Sequence, residues 1–247
     1  MEKKYRLTDE TIDFYEVKLH RIEALMDFND VKKGDIGGFI ESEKNLSHYG
    51  NCWIYNDAKV YEEARVCDNS KVLEYAEVRG CALVQAKSMV YGDAKVLDYA
   101  RINDKARIFD FSEVSENAVI GGKAKIYGSA SICGECMILE HAEVLGNVVV
   151  NGPAVIRGNA KVKYLSDFIV FRDWWSTGDY FTWTKSNNMW KVGCFYGTGE
   201  ELIEKAYKDS ELSGREYKRV VEYVKSLLRD EKLKIGVVIQ PEEEDWR

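Results

Sequence analysis

Between residues 54 and 162 a β-branched aliphatic residue returns at every sixth position: Ile54, Val60, Val66, Val72 and onward to Ile156 and Val162. All 19 positions on this lattice are Val or Ile, and no insertion breaks the step. Two residues before each of them, 18 of the 19 positions hold Ala, Ser or Cys, Val148 being the exception. A period of six matches neither the 3.6 of a helix nor the two-residue alternation of a half-buried strand. It describes a short strand and a bend, repeated. The stiff β-branched side chain points inward and stacks on its equivalent in the next turn. The small residue fits near the corner, where backbones crowd. Two residues after the aliphatic position stand glycines such as Gly80, Gly92, Gly122 and Gly158, or Asn56, Asp68, Asp98, Asp104 and Asp110. These residues tolerate a bend. Three bends close a triangle, so one coil takes 18 residues and the hexads make just over six coils. At about 4.8 Å between stacked strands, the column is roughly 30 Å long.

Residues flanking the inward position face outward, and every eighteenth residue shares a face. One column reads Tyr55, Leu73, Tyr91, Phe109, Tyr127 and Leu145, apolar or aromatic throughout. An apolar stripe on the outside of a prism needs a cover. The two candidate covers are a neighbouring subunit and the chain's own C-terminal segment. A second face carries Lys59, Glu77, Lys95 and Glu113, an alternation of sign that suits a solvated surface.

The flanking segments lack the repeat. Residues 1–50 contain an imperfect alternation over Tyr15–Leu25 that predicts a strand pair, read as a β cap over the open strand edges of the first coil. Residues 164–230 predict three strands, over 167–172, 180–185 and 189–195, followed by two helices. Thr198-Gly199-Glu200-Glu201 opens the first helix with a capping box. The second, over 213–228, has Tyr217, Val220, Val221, Val224, Leu227 and Leu228 on one stripe. Residues 231–247 read as an acidic tail. Trp174, Trp175, Trp183 and Trp190, with Tyr180, crowd this small α+β module. They are candidates either for a ligand- or partner-binding surface (Trp174, Trp175, Trp183, Tyr180) or for the core of a small domain.

Composition narrows the chemistry. Among 247 residues, 42 acidic against 35 basic give a net charge of −7, which argues against general nucleic-acid binding. No apolar run approaches the roughly 20 residues of a membrane helix. The polar start predicts no secretory leader, and the six cysteines read as reduced thiols of a cytoplasmic protein. Only three histidines are present, His20, His48 and His141, and only His141 falls within the hexads. Cys133-Gly134-Glu135-Cys136 has the spacing of a metal or redox pair, but the hexad register turns Cys133 outward and Cys136 inward. No metal site is expected, and no phosphate-binding loop or nucleophile elbow is present.

The hexads, for example Asn56-Asp57-Ala58-Lys59-Val60 and Gly122-Lys123-Ala124-Lys125-Ile126, resemble those of the hexapeptide-repeat proteins. That resemblance implies a mainly β chain wound as a single-stranded left-handed parallel β-helix, and packing side by side as trimers. The column Tyr55–Leu145 is then the expected subunit interface. The segments Lys33–Glu41 and Gly193–Glu201 are similar to those of uncharacterised bacterial and phage or prophage proteins, often labelled as transferase-like or polymer-forming. For the acyltransferases of this group, the resemblance implies a histidine base and an acyl-CoA lying between subunits, with loops shaping the acceptor site. Here no loop interrupts the hexads, and His141 is a weak candidate base. The expectation is therefore a non-catalytic homotrimeric binding protein without cofactor, acting on a small ligand or on a host protein such as a defence component. An acetyl-CoA-dependent acyltransferase and a structural piece of a particle or filament are the alternatives.

Overall fold

The computed structural model describes residues 3–176 and 178–234. Strands β1 (Tyr5–Phe14) and β2 (Val17–Ala24) form an antiparallel hairpin. Its turn residues Tyr15 and Glu16 both have positive φ. Strand β3 (Ile36–Ile40) pairs antiparallel with β2 on one side. On the other side it runs parallel to the first coils, with Ile40 opposite Val60. Nineteen two-residue strands follow, from β4 (Trp53–Ile54) to β22 (Lys161–Val162), one for each hexad. Each of β4 to β19 pairs in parallel with the strand 18 residues on, as in Ile54 opposite Val72 and Val90 opposite Ile108. Successive strands are dealt in turn to three sheets. The chain is therefore a three-sided parallel β-solenoid. All 19 lattice Val and Ile side chains have no exposed surface, and the small residues before them are buried as well.

The solenoid has seven turns rather than just over six, since one of its sheets has seven strands. An extra coil precedes the first hexad, through Ile40 and through Leu46, which bridges Val66. Sequence stepping missed it because Leu46 and Ile54 are eight residues apart, the surplus being absorbed at Gly50 with φ +69°.

Every corner from residue 56 to residue 158 has positive φ two residues after the inward side chain, yet only eight of these 18 residues are glycine. Glycine is required where coils touch: a Cβ on Gly122 would lie 2.5 Å from the backbone nitrogen of Glu140. At nine of the ten other corners, all but Ala86, a carboxylate or amide compensates for the strained backbone. Glu62 accepts from the Gly80 N–H at 2.7 Å, Asp104 from Gly122 at 2.8 Å and Glu116 from Gly134 at 2.8 Å. The same bond recurs from Asn56, Asp68, Glu74, Asp98, Asp110 and Glu140. Each supplies an acceptor to a corner N–H that the strand ladder leaves over. Much of the acidic excess of the chain is therefore structural.

Both open ends are sealed. At the first coil, the buried Lys4 ammonium donates to the Cys52 carbonyl at 2.9 Å, and the Asn45 amide donates to the carbonyls of Glu62 and Ala64. Trp53, an outward position by register, is buried under Tyr5 and Phe28 of this cap. At the last coil, the N–H groups of Val155, Lys161 and Lys163 find Thr182 Oγ1, Ser186 Oγ and Asp167 Oδ2. Those acceptors belong to the C-terminal module. Its antiparallel sheet runs β23 (Phe168–Arg172), β24 (Tyr180–Thr184), β25 (Met189–Val192) and β26 (Phe195–Gly197), one strand more than the pattern predicted. Helices α1 (Gly199–Asp209) and α2 (Glu211–Lys234) cover it. The capping box is present: Thr198 Oγ1 accepts from the Glu201 N–H, and the Glu201 carboxylate accepts from the Thr198 N–H. Of the acidic tail expected over 231–247, residues 231–234 continue α2 and the remainder lies outside the described residues. No helix among the described residues is long and apolar enough to cross a membrane.

Candidate functional site

Two surfaces stand out. The first is the solenoid face built on β4, β22 and the five strands between them in that sheet. On it the rings of Tyr91, Phe109 and Tyr127 stack with centroids 4.9 and 5.0 Å apart and planes within 3° of parallel. The strand spacing of about 4.8 Å imposes this ladder. Leu73 and Leu145 extend it and, like the rings, stay partly exposed. Tyr55 is half covered by the N-terminal cap: its hydroxyl donates to Asp30 at 3.0 Å, and Lys71 lies over its ring and pairs with Asp30 at 2.7 Å. The C-terminal sheet docks at the end of the column, around Val155, Arg157 and Lys161.

The two edges of this face differ in charge, a feature that reading single columns missed. The corners entering three successive strands of this sheet carry Lys87, Lys105 and Lys123, all exposed. An open groove of about 680 Å³ runs along them, lined by Tyr49, Asp68, Lys87, Asp104, Lys105 and Lys123 among others. Arg107 and Lys125 stand beside it on the face. The corner leaving the strands carries Glu74, Tyr75, Asp93, Asp110 and Phe111, with Tyr75 62% and Phe111 70% exposed. Stepping by 18 through the corner positions would have revealed both edges.

The second surface is the loop between β23 and β24. Asp173, buried, accepts from the N–H groups of Trp175 and Ser176 at 2.9 and 2.8 Å and holds the loop. Trp174 projects from it, 78% exposed, its ring edge-on to Trp175 at 5.9 Å, and at the foot of the loop the Arg172 guanidinium lies over the Tyr180 ring. The four aromatic candidates therefore divide. Trp174 and Tyr180 are on the surface, and Trp175 is half-buried with an indole N–H that finds no hydrogen bond among the described residues. Trp183, expected on the binding surface, is instead core: it is 2% exposed, packed with Trp190, Phe181, Leu202 and Val221. The strand pleat turns it under the helices, and its Nε1 donates to Asn188 at 3.0 Å. Trp183→Ala is accordingly expected to cost about 3–5 kcal/mol of stability. Trp174→Ala should change it by less than about 0.5 kcal/mol. Urea unfolding of the two variants checks the contrast.

His141 is exposed and continues the lysine corner one coil further. The adjacent Glu140 carboxylate is engaged by Arg157, which holds it below the usual carboxylate range, and by the Gly158 N–H. It does not orient the imidazole. His20 and His48 lie in the cap; His48 stacks on Tyr5 at 4.3 Å. Cys133 and Cys136 are free thiols, and burial pushes Cys136 up to about 12, away from nucleophilic use. Among the described residues no group of His, Cys, Asp or Glu stands ready to hold a metal ion.

A parallel β-solenoid with a partly exposed aromatic face and an appended α+β module is the class that fold and surfaces define. No family model matches the chain. It is similar to the uncharacterized acetyltransferase YdcK of Escherichia coli (strain K12), at 45% identity over 62 residues. The similarity covers 22% of this chain and 19% of that protein, so the chain spans about a fifth of the length of the curated relative it matches.

Proposed function

We propose that the protein is a non-catalytic homotrimeric scaffold that presents its C-terminal modules to a partner protein. The observation that carries this reading is Trp174, 78% exposed on a loop whose flanking residues Arg172 and Tyr180 pair with each other. A tryptophan this exposed adds little to folding stability, and Trp, Tyr and Arg are the residue types that dominate protein-binding energetics. Their projection from a loop suits a protein surface better than a small molecule, which prefers concave sites. The resemblance to phage and prophage proteins makes a host protein the first partner class to test. The aromatic ladder supports side-by-side assembly, which would multiply the modules and raise avidity.

Acyl transfer is the second reading, favoured by the name of the relative and by the position of His141 at the end of a cationic corner. Incubation with acetyl-CoA and a panel of amine and hydroxyl acceptors separates the two. The binding reading expects no turnover. Turnover that disappears in His141→Ala would replace it with the acyltransferase.

A further inference from the structure

We infer that strand β23 is a docking edge, on which an extended segment of the partner protein adds as a fifth strand of the C-terminal sheet. This rests on the partner-binding reading proposed above and specifies the shape of what is bound. Among the described residues β23 pairs with β24 alone. The Asp173 N–H donates to the Asp179 carbonyl and the Lys185 N–H to the Asp167 carbonyl, both at 2.8 Å, which fixes the parity of the ladder. In an antiparallel pair, successive residues turn their backbone groups alternately toward and away from the neighbouring strand. Ile169 and Phe171 therefore bond to β24, and Phe168, Val170 and Arg172 turn their N–H and C=O groups outward. Among the described residues these outward groups find no hydrogen-bonding partner.

Native sheets usually blunt such an edge. The free edge of the N-terminal hairpin, β1, is blunted: its register shifts between Leu7 and Thr11, and Arg6, Asp9, Glu10 and Asp13 charge it. At the far end of the C-terminal sheet, β26 has only three residues. β23 has five in unbroken register, with no proline and no charge before Arg172. Phe168, Ile169, Val170 and Phe171 all stay partly exposed, whereas Phe181 to Thr184 on the neighbouring β24 are buried. The flanks extend the same surface. Exposed Tyr164 and Leu165 precede the strand, and the loop bearing Trp174 follows it directly. A groove of about 270 Å³ lies between β23 and α2, lined by Leu165, Phe168, Ile169, Val224, Leu227 and Leu228. An added strand turns every second side chain to that side. The ladder bonds then supply affinity, and the groove selects a segment with apolar residues at alternate positions.

Panning a random seven-residue peptide library displayed on phage against the full chain tests this. The enriched peptides are expected to alternate apolar with polar residues. Resynthesised with one amide N-methylated at a time, the best of them should lose about tenfold or more in affinity at every second position and little between, since only alternate N–H groups face β23. This scan leaves the protein untouched and decides the case on its own. Val170→Pro removes an outward N–H and keeps the bonds to β24, as proline on an edge strand does. It should weaken the peptide by a similar factor, with circular dichroism confirming the fold. The amides of Phe168, Val170 and Arg172 should exchange with deuterium quickly in the free chain and slowly with peptide bound. Enrichment of no peptide, or a methylation pattern without a two-residue period, would overturn the inference. Protection of the three amides in the free chain would do so too, because the edge would then be covered by the chain itself or by a second copy. Trp174→Ala separates the two readings. If it leaves the affinity unchanged while Val170→Pro does not, the edge stands and Trp174 is no part of the site. The reverse keeps Trp174 and removes the edge.

Discussion

Ile108→Asp is expected to abolish the folded solenoid. Ile108 lies in the middle of the column, fully buried, with Val90 on the coil above and Ile126 on the coil below. A carboxylate there has no hydrogen-bonding partner among the aliphatic neighbours, and burying an unpaired charge costs far more than burying a methyl group gains. Even Ile108→Ala, which only leaves a void, should cost about 2–5 kcal/mol. Domains have about 5–15 kcal/mol of stability in all, so the charged variant exceeds what the fold can absorb. Because each coil contacts only its neighbours, the break also separates the coils on either side. Lys105→Ala, on the exposed corner of the preceding coil segment, should leave stability within about 0.5 kcal/mol. Far-UV circular dichroism with denaturant titration measures all three. Retention of a cooperative β signal in Ile108→Asp would contradict the inward stacking.

Under the side-by-side assembly proposed above, replacing Tyr91 and Phe109 together by Asp is expected to give monomers without unfolding the chain. The two rings stack at 4.9 Å on the surface of the coils and are not part of the interior column. Truncating the aromatic hot spots at the centre of an interface costs about 2 kcal/mol or more each. Introducing two carboxylates on successive coils adds repulsion. Light scattering coupled to size exclusion reads the mass, and an unchanged mass with unchanged circular dichroism would remove this face from the interface.

The solenoid was legible because one physical constraint, a stiff inward side chain per strand, repeats without interruption from Ile54 to Val162. The extra coil was not, since an eight-residue step hides Ile40 and Leu46 from a six-residue search. The corner rule was half visible. Gly and Asp suggested bends, but Glu62, Glu74, Glu116 and Glu140 at positive φ make sense only through bonds to the following coil, 18 residues away. In the C-terminal module the capping box at Thr198 follows from local chemistry. Which of Trp174 and Trp183 faces solvent does not, because it depends on where α1 and α2 dock over the sheet. The charged edges of the aromatic face were missed for a different reason: their residues are ordinary surface types, and only their spacing carries information.

Native mass spectrometry of the full chain tests the central idea most directly. Side-by-side assembly predicts a discrete species of three chains, each of 28.4 kDa, that persists on dilution to the low micromolar range. A chain that flies only as a monomer, with the aromatic ladder free in solution, would contradict it.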